Sequence, residues 1–304
     1  MRKSVKTRKI RGGTWLALAV MFLFCLLSGC GRAESGEEPG DGESGRKLKV
    51  AATLFPYYDF VRQVAGDQVE LSLVIPAGMD SHSFEPTPKD IRIMQEADVI
   101  IANGGAMEHW VDQVVDSFDR EDQTVVIMMD HVDAVEEEIV EGMEHSDEGH
   151  GHVHVHVHED GEEEAAEPPE EDESRYEIEY DEHIWTSPVN AMRMVDVIAE
   201  TLTERDPAHG AMYQAGAAAY LEELERLDKE FREARDSAVH DMIVMGDKFP
   251  LRYFADAYGL RYRAAFSGCS SDTEPSARTI AYLIDKVKEE GLPVIYYLEL
   301  SSHR

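Results

Sequence analysis

Short, mainly apolar runs alternate with longer amphipathic stretches along most of this chain, and that rhythm restricts the folds open to it. Residues 48–54, 69–75, 99–102 and 124–128 are such runs, each bounded by turn or helix-starting residues, and they read as strands. Between the first two, Pro56 opens a helix. Tyr57, Phe60, Val61 and Val64 recur along it at helical spacing, and Gly66 stops it. A second helix is expected after Pro88 and a third over 107–118. The plan resumes late in the chain, with strands expected at 242–245, 261–266 and 293–298 and helices at 251–258 and 275–290. Strands that alternate with helices predict parallel sheets with helical cover, the α/β class.

Two helices lie between these blocks. One begins at Pro188, with Ser187 placed to cap it. The other covers 208–237 and carries one apolar stripe of Tyr213, Tyr220, Leu221, Leu224, Leu227 and Phe231. At 1.5 Å per residue it spans about 45 Å, enough to join two lobes. The expected organisation is a first βα lobe at 47–206, a linking helix at 207–238 and a second βα lobe at 239–304. The second lobe has fewer strands and an uncovered last edge, and it is expected to be truncated at its C-terminal end.

The N-terminus reads as an address rather than as fold. Six basic residues precede a short apolar segment at 14–27, which is too short and wrongly flanked for a membrane span. Leu27-Ser28-Gly29-Cys30 follows and resembles the bacterial lipoprotein box, which implies a signal peptide at 1–29 and lipidation of Cys30. Residues 30–46 are rich in Gly, Glu and Ser and read as a flexible tether. Cys25 leaves with the signal, so Cys269 has no partner for an internal disulfide. The formal charge is −33, and removal of the basic leader makes it more negative still. Such a surface repels nucleic acid and attracts cations.

Between Glu136 and Glu182 the chain holds 21 acidic residues against one basic residue, Arg175. The strand–helix rhythm is lost there, so 136–180 is expected to be a disordered insertion. Six histidines cluster inside it: His145, His150, His152, His154, His156 and His158. No sequence device holds them in one geometry, which points to modest, multi-site metal binding in an accessory role. Two other histidines occupy loops after apolar strands or before a helix. His82 lies in PAGMDSHSFEPTPKD and His183 in YDEHIWTSP. Loops at the carboxyl ends of strands are where open α/β sheets bind ligands. Cys269, in the polar loop FSGCSSDTEPS, is compatible with zinc as a thiolate, but a lone cysteine reads first as an inert packing residue. His109, His131, His209 and His240 read as surface residues. The phosphate-loop and dinucleotide glycine patterns are absent, as is a nucleophile–base pair.

Several ordered segments together resemble the metal-binding, extracytoplasmic substrate-binding proteins of zinc and manganese ABC transporters. GMDSHSFEPTPKDI is similar to that family's first ligand loop. DEHIWTSPVNAMRM is similar to its Asp-Pro-His-x-Trp motif, with Glu182 in place of proline. MYQAGAAAYLEELERLDKEF looks like its interdomain helix. The resemblance covers nearly all of 47–302. It implies two four-stranded parallel lobes joined by a rigid helix, with the metal in the cleft and His82 and His183 as first-lobe ligands. The second lobe departs from the pattern. Where many members have a histidine this chain has Lys248, a poor ligand while protonated. Asp247 beside it is a candidate oxygen ligand, with helix capping as its alternative role. Glu299 is expected to be structural or to support a ligand. The implied function is capture of Zn2+, with Mn2+ as the alternative, for a membrane permease and its ATPase, from a lipid anchor outside the cell. Competing expectations are a metal-responsive surface adhesin and a metallohydrolase using Glu85 as base.

Overall fold

The computed structural model describes residues 46–143, 180–270 and 274–298, and 47–298 of these form one compact unit. The expected signal peptide, Cys30, the tether, the six clustered histidines and Glu299 lie outside the described residues. No helix among the described residues is long and apolar enough to cross a membrane.

The first lobe follows the alternation closely. β1 (Leu48–Ala52), β2 (Val69–Leu73), β3 (Val99–Ala102) and β4 (Thr124–Ile127) form a four-stranded sheet in the order β2-β1-β3-β4. All its pairings are parallel, with Leu48 opposite Val69, Val50 opposite Val99 and Val99 opposite Thr124. α1 (Phe55–Ala65) has Pro56 in its first turn and ends at Gly66. α2 (Pro88–Glu96) is held at its start by Asp90, whose carboxylate accepts the Thr87 backbone N–H at 2.9 Å. The helix expected over 107–118 is divided. A 3₁₀ turn, Ala106–Glu108, precedes α3 (Trp110–Asp116), and the break falls at His109. α4 (Pro188–Arg205) begins where expected, but Ser187 makes no side-chain capping bond.

α5 (Gly210–Ser237) is the linking helix. Its first half packs on the first-lobe core through Tyr213, Ala217 and Tyr220, and the Tyr220 ring lies 6.1 Å from that of Phe60. Farther along, Phe231 stacks against Phe254 and Tyr258 of α6 (Arg252–Tyr258), and the Tyr258 hydroxyl donates to Asp228 at 3.1 Å. One helix therefore touches both lobes, with different parts of its length.

The second lobe has less regular structure than expected. β5 (Met242–Phe249) and β6 (Arg261–Ser267) pair in parallel with an irregularity between Met245 and Lys248. The strand expected at 293–298 is reduced to one parallel bridge, Met245 with Tyr296. α7 (Ala277–Glu289) covers one face and is capped by Ser276, which accepts the Thr279 N–H at 3.2 Å.

The boundary expected for the insertion is too early. Residues 136–143 belong to the fold: Met143 is buried in a second-lobe core, Glu138 pairs with Arg252 at 2.7 Å, and Glu141 faces Arg263 at 3.7 Å. Composition hid this, because these acids have basic and apolar partners that are distant in sequence. Glu136 and Tyr180 form an antiparallel bridge, which joins the start of 136–143 to the residue three before His183.

Candidate metal centre

His82 sits on a 3₁₀ turn, Ser81–Ser83, beyond the end of β2. Asp80 starts the turn by accepting the His82 backbone N–H at 3.1 Å. His183 precedes a second 3₁₀ turn, Ile184–Thr186, that leads into α4. The two imidazole rings face each other with centroids 5.5 Å apart. The structure thus brings together the two histidines that are 101 positions apart in sequence.

His183 is held from several sides and is only 8% exposed. Asp181 Oδ1 accepts its backbone N–H at 2.9 Å and lies 3.1 Å from its Nδ1. A carboxylate on Nδ1 fixes that nitrogen as the proton carrier and leaves Nε2 with a lone pair for a cation. Trp185 packs on the ring at 5.5 Å between centroids. The backbone on either side is fixed too. The Tyr253 hydroxyl, from α6, donates to the Asp181 carbonyl at 2.6 Å, and Asn103 Nδ2 donates to the Glu182 carbonyl at 3.1 Å.

His82 is less enclosed, but its Nε2 is shielded from solvent and makes no hydrogen bond. Burial, the His183 ring and the charge of Lys248 together lower its pKa to about 4. The imidazole is therefore neutral at ordinary pH, the form that donates to a metal.

Two residues that sequence reasoning did not assign to the site gather around His82, in a group that does not include His183. A nitrogen of His82, a carboxylate oxygen of Glu182 and the sulfur of Cys269 all lie within 4.8 Å of one another, and no other metal-ligating group of three or more occurs among the described residues. Glu182 is buried, which raises its pKa, and it accepts the Met107 N–H at 2.9 Å. Gly105 makes room for it. A Cβ there would lie 2.2 Å from Glu182 Oε1, and the backbone has φ +79°. Cys269 lies two residues past the end of β6, and its N–H donates to Glu137 Oε1 at 3.0 Å. Burial, and then the Glu137 carboxylate, push its thiol well above the usual range. Gly268 lets this loop meet the first lobe, since a Cβ there would stand 3.1 Å from the His183 ring and 2.9 Å from the Phe249 carbonyl. The available signal was position: Cys269 follows a buried strand, as His82 does.

Asp247 is not brought into this group. It is buried, but Oδ1 accepts the N–H of Lys248 at 2.8 Å and Oδ2 faces the N–H of Leu298 at 3.4 Å. The following helix has Leu251, not Asp247, at its cap position. The carboxylate therefore ties β5 to the segment around Tyr296.

Comparison with known proteins agrees with this architecture. The family model for zinc-uptake complex component A, periplasmic, matches residues 50–304. The high-affinity zinc uptake system protein ZnuA of Bacillus subtilis is 32% identical over 95% of this chain and 82% of its own length. The zinc-binding lipoprotein AdcA of Streptococcus pneumoniae is also 32% identical, over 88% of this chain but 48% of its own, so the chain spans about half of that relative. The crystal structure of the Zn(II)-bound ZnuA-like domain of the pneumococcal protein aligns with a TM-score of 0.62 at 29% identity, covering 84% of this chain and 80% of that one. With the ordered motifs, the two lobes and the facing histidines in place, the match over residues 50–304 puts this chain in the zinc-uptake complex component A family.

Proposed function

We propose that the chain is the extracytoplasmic, lipid-anchored zinc-binding component of an ABC importer, which passes the ion to a membrane permease powered by its ATPase. Its task is capture and release, not catalysis. The observation that carries the reading is the facing pair His82 and His183, with His183 Nδ1 bound to Asp181 and His82 Nε2 shielded and unpartnered. Two imidazoles, one with a carboxylate behind it, form a nitrogen-rich site that suits zinc better than the harder manganese ion.

The histidine-rich segment serves as an accessory in this reading. It joins the fold just before His183, so ions held weakly on His145, His150, His152, His154, His156 and His158 are concentrated near the cleft. Cys30 is the lipid attachment point.

Zinc titration by calorimetry tests the proposal. One tight site and several weak ones are expected, with the tight site lost when His82→Ala and His183→Ala are combined. A single weak class that the double substitution leaves unchanged would refute it. Growth separates import from adhesion. A strain lacking the protein should fail under chelation and recover with added zinc.

A further inference from the structure

We propose that Cys269 is a thiolate ligand of the captured metal, so that the second lobe supplies sulfur to an ion whose nitrogen donors, His82 and His183, come from the first. The inference rests on the metal-binding reading above and specifies its third ligand, with Glu182 placed to give a fourth.

The argument begins with convergence. His82 nitrogen, Glu182 oxygen and Cys269 sulfur lie within 4.8 Å of one another. Zinc bonds of about 2.0–2.3 Å in a tetrahedron set neighbouring ligand atoms about 3.3–3.8 Å apart. The three donors are therefore within about 1–1.5 Å of bonding separation, a distance that side-chain rotation covers. His82 Nε2 points independently to a missing partner. It is shielded from water and bonded to nothing, an arrangement that costs free energy unless something else satisfies it.

The loop geometry gives the sulfur its position. Gly268 lies against the His183 ring so closely that a side chain there would press on it, which brings the next residue to the histidine pair. The N–H of Cys269 is fixed on Glu137, and Glu137 belongs to the segment that precedes the histidine-rich insertion. Lys248, whose charge acts on His82, offers no lone pair while protonated. Glu182 stands where the resembled motif has proline, and it converges with Cys269 on the same histidine.

The chemical step balances simply. On binding, the S–H bond breaks heterolytically, the electron pair remains on sulfur and forms the zinc–sulfur bond, and the proton leaves to solvent. No oxidant or co-reactant is involved. A site with two imidazoles, a thiolate and a carboxylate favours zinc over manganese more strongly than a site with nitrogen and oxygen alone.

Cobalt(II) provides the test, because a cobalt–thiolate bond gives an intense near-ultraviolet charge-transfer band that imidazole and carboxylate do not. The full chain is used with Cys25→Ser and Cys30→Ser, so that Cys269 is its sole cysteine. One equivalent of cobalt should produce the band together with visible ligand-field bands. Adding Cys269→Ser should abolish the first and keep the second, and should weaken zinc by about 100-fold or more, beyond the 10–100-fold typical of outer-shell changes. Ligand-field bands without a charge-transfer band would overturn the thiolate while leaving metal binding through the histidines intact. Failure to bind cobalt or zinc at all, or binding indifferent to His82→Ala with His183→Ala, would overturn the metal-binding reading itself. A second measurement needs no substitution at Cys269: saturating zinc should slow its alkylation by iodoacetamide at least tenfold relative to the metal-free chain, on the order expected for a bound thiolate. Equal rates with and without zinc would refute the proposal.

Discussion

The two lobes use one βα plan with unequal resources. In the first, four strands and their helices enclose one continuous core, and Val99, Ile100 and Ile101 are wholly inaccessible to solvent. In the second, β5 and β6 support two small cores, one around Phe249 and Tyr262 and the other around Val244 and Phe266. Apolar side chains from Val294 to Tyr297 remain on the surface, with Tyr297 60% exposed. His82 and His183 are thus mounted on a densely packed frame, where interiors resist deformation. Cys269 is held by two individual long-range contacts rather than by a core: its N–H on Glu137 and the approach of Gly268 to His183. The difference separates two jobs. Packing in the first lobe fixes the two histidines, and contacts from the second lobe bring Cys269 up to His82.

The largest effect that would break this comparison is on folding. Ile101→Ala removes a fully buried side chain from the centre of the four-stranded sheet and should cost about 2–5 kcal/mol. Ile243→Ala, half-buried on β5, should cost about 1 kcal/mol, near the centre of the usual range for single substitutions. Urea unfolding of the metal-free chain measures both, and equal losses would remove the distinction between the lobes.

The next effect is on affinity. Asp181→Asn keeps the size of the side chain but removes the charge behind His183 Nδ1. Zinc affinity should fall about 10–100-fold, with urea unfolding of the metal-free chain changing far less. Competition with a chelating dye reads the affinity. An unchanged constant would mean that His183 is positioned by packing alone.

A smaller effect concerns pH and the first lobe's interior. Burial holds the Glu108 carboxyl up at about 7, against an ordinary value of 4.5. The folded state therefore keeps a proton that the unfolded chain releases, and this group's contribution to stability falls as pH rises from 4.5 to 7. His82, lowered to about 4 from 6.5, acts in the opposite direction, so its contribution falls as pH drops through that window. The two slopes oppose each other where the windows overlap. Glu108→Gln should remove the first and leave metal-free stability rising with pH from about 4 to 6.5. Unfolding midpoints across that range check the sign, and a profile parallel to that of the unsubstituted protein would exclude Glu108 as the source.

The smallest expected effect on the folded body comes from deleting 144–173. The deletion leaves residues 136–143 and the Glu136–Tyr180 bridge in place, so unfolding should shift by no more than about 0.5 kcal/mol. The tight zinc site should persist while the weak stoichiometry falls. Loss of the tight site with an unchanged unfolding profile would show that the histidine tract supplies ligands to the cleft.

By itself, the sequence determined the parts whose signal is local. Apolar runs and helix-starting prolines marked the elements of the first lobe, and the long apolar stripe marked α5 as a link. The position of His82 after a strand, with the motif around His183, made the histidine pair legible before any coordinates. The exact extent of the insertion was not legible. Residues 136–143 are as acidic as those that follow, and only folding supplies Arg252, Arg263 and the apolar partners of Met143. The same physics hid half of the candidate site. Glu182 and Cys269 lie 87 positions apart and carry no shared pattern. Their convergence depends on Gly105 and Gly268, where the absence of a Cβ permits close approach, and on a cleft formed by two separately wound sheets. Asp247 shows the converse case. Its residue type suited a ligand, but the tertiary structure gave its carboxylate to backbone amides, because a buried carboxylate takes hydrogen bonds from the nearest unpaired donors.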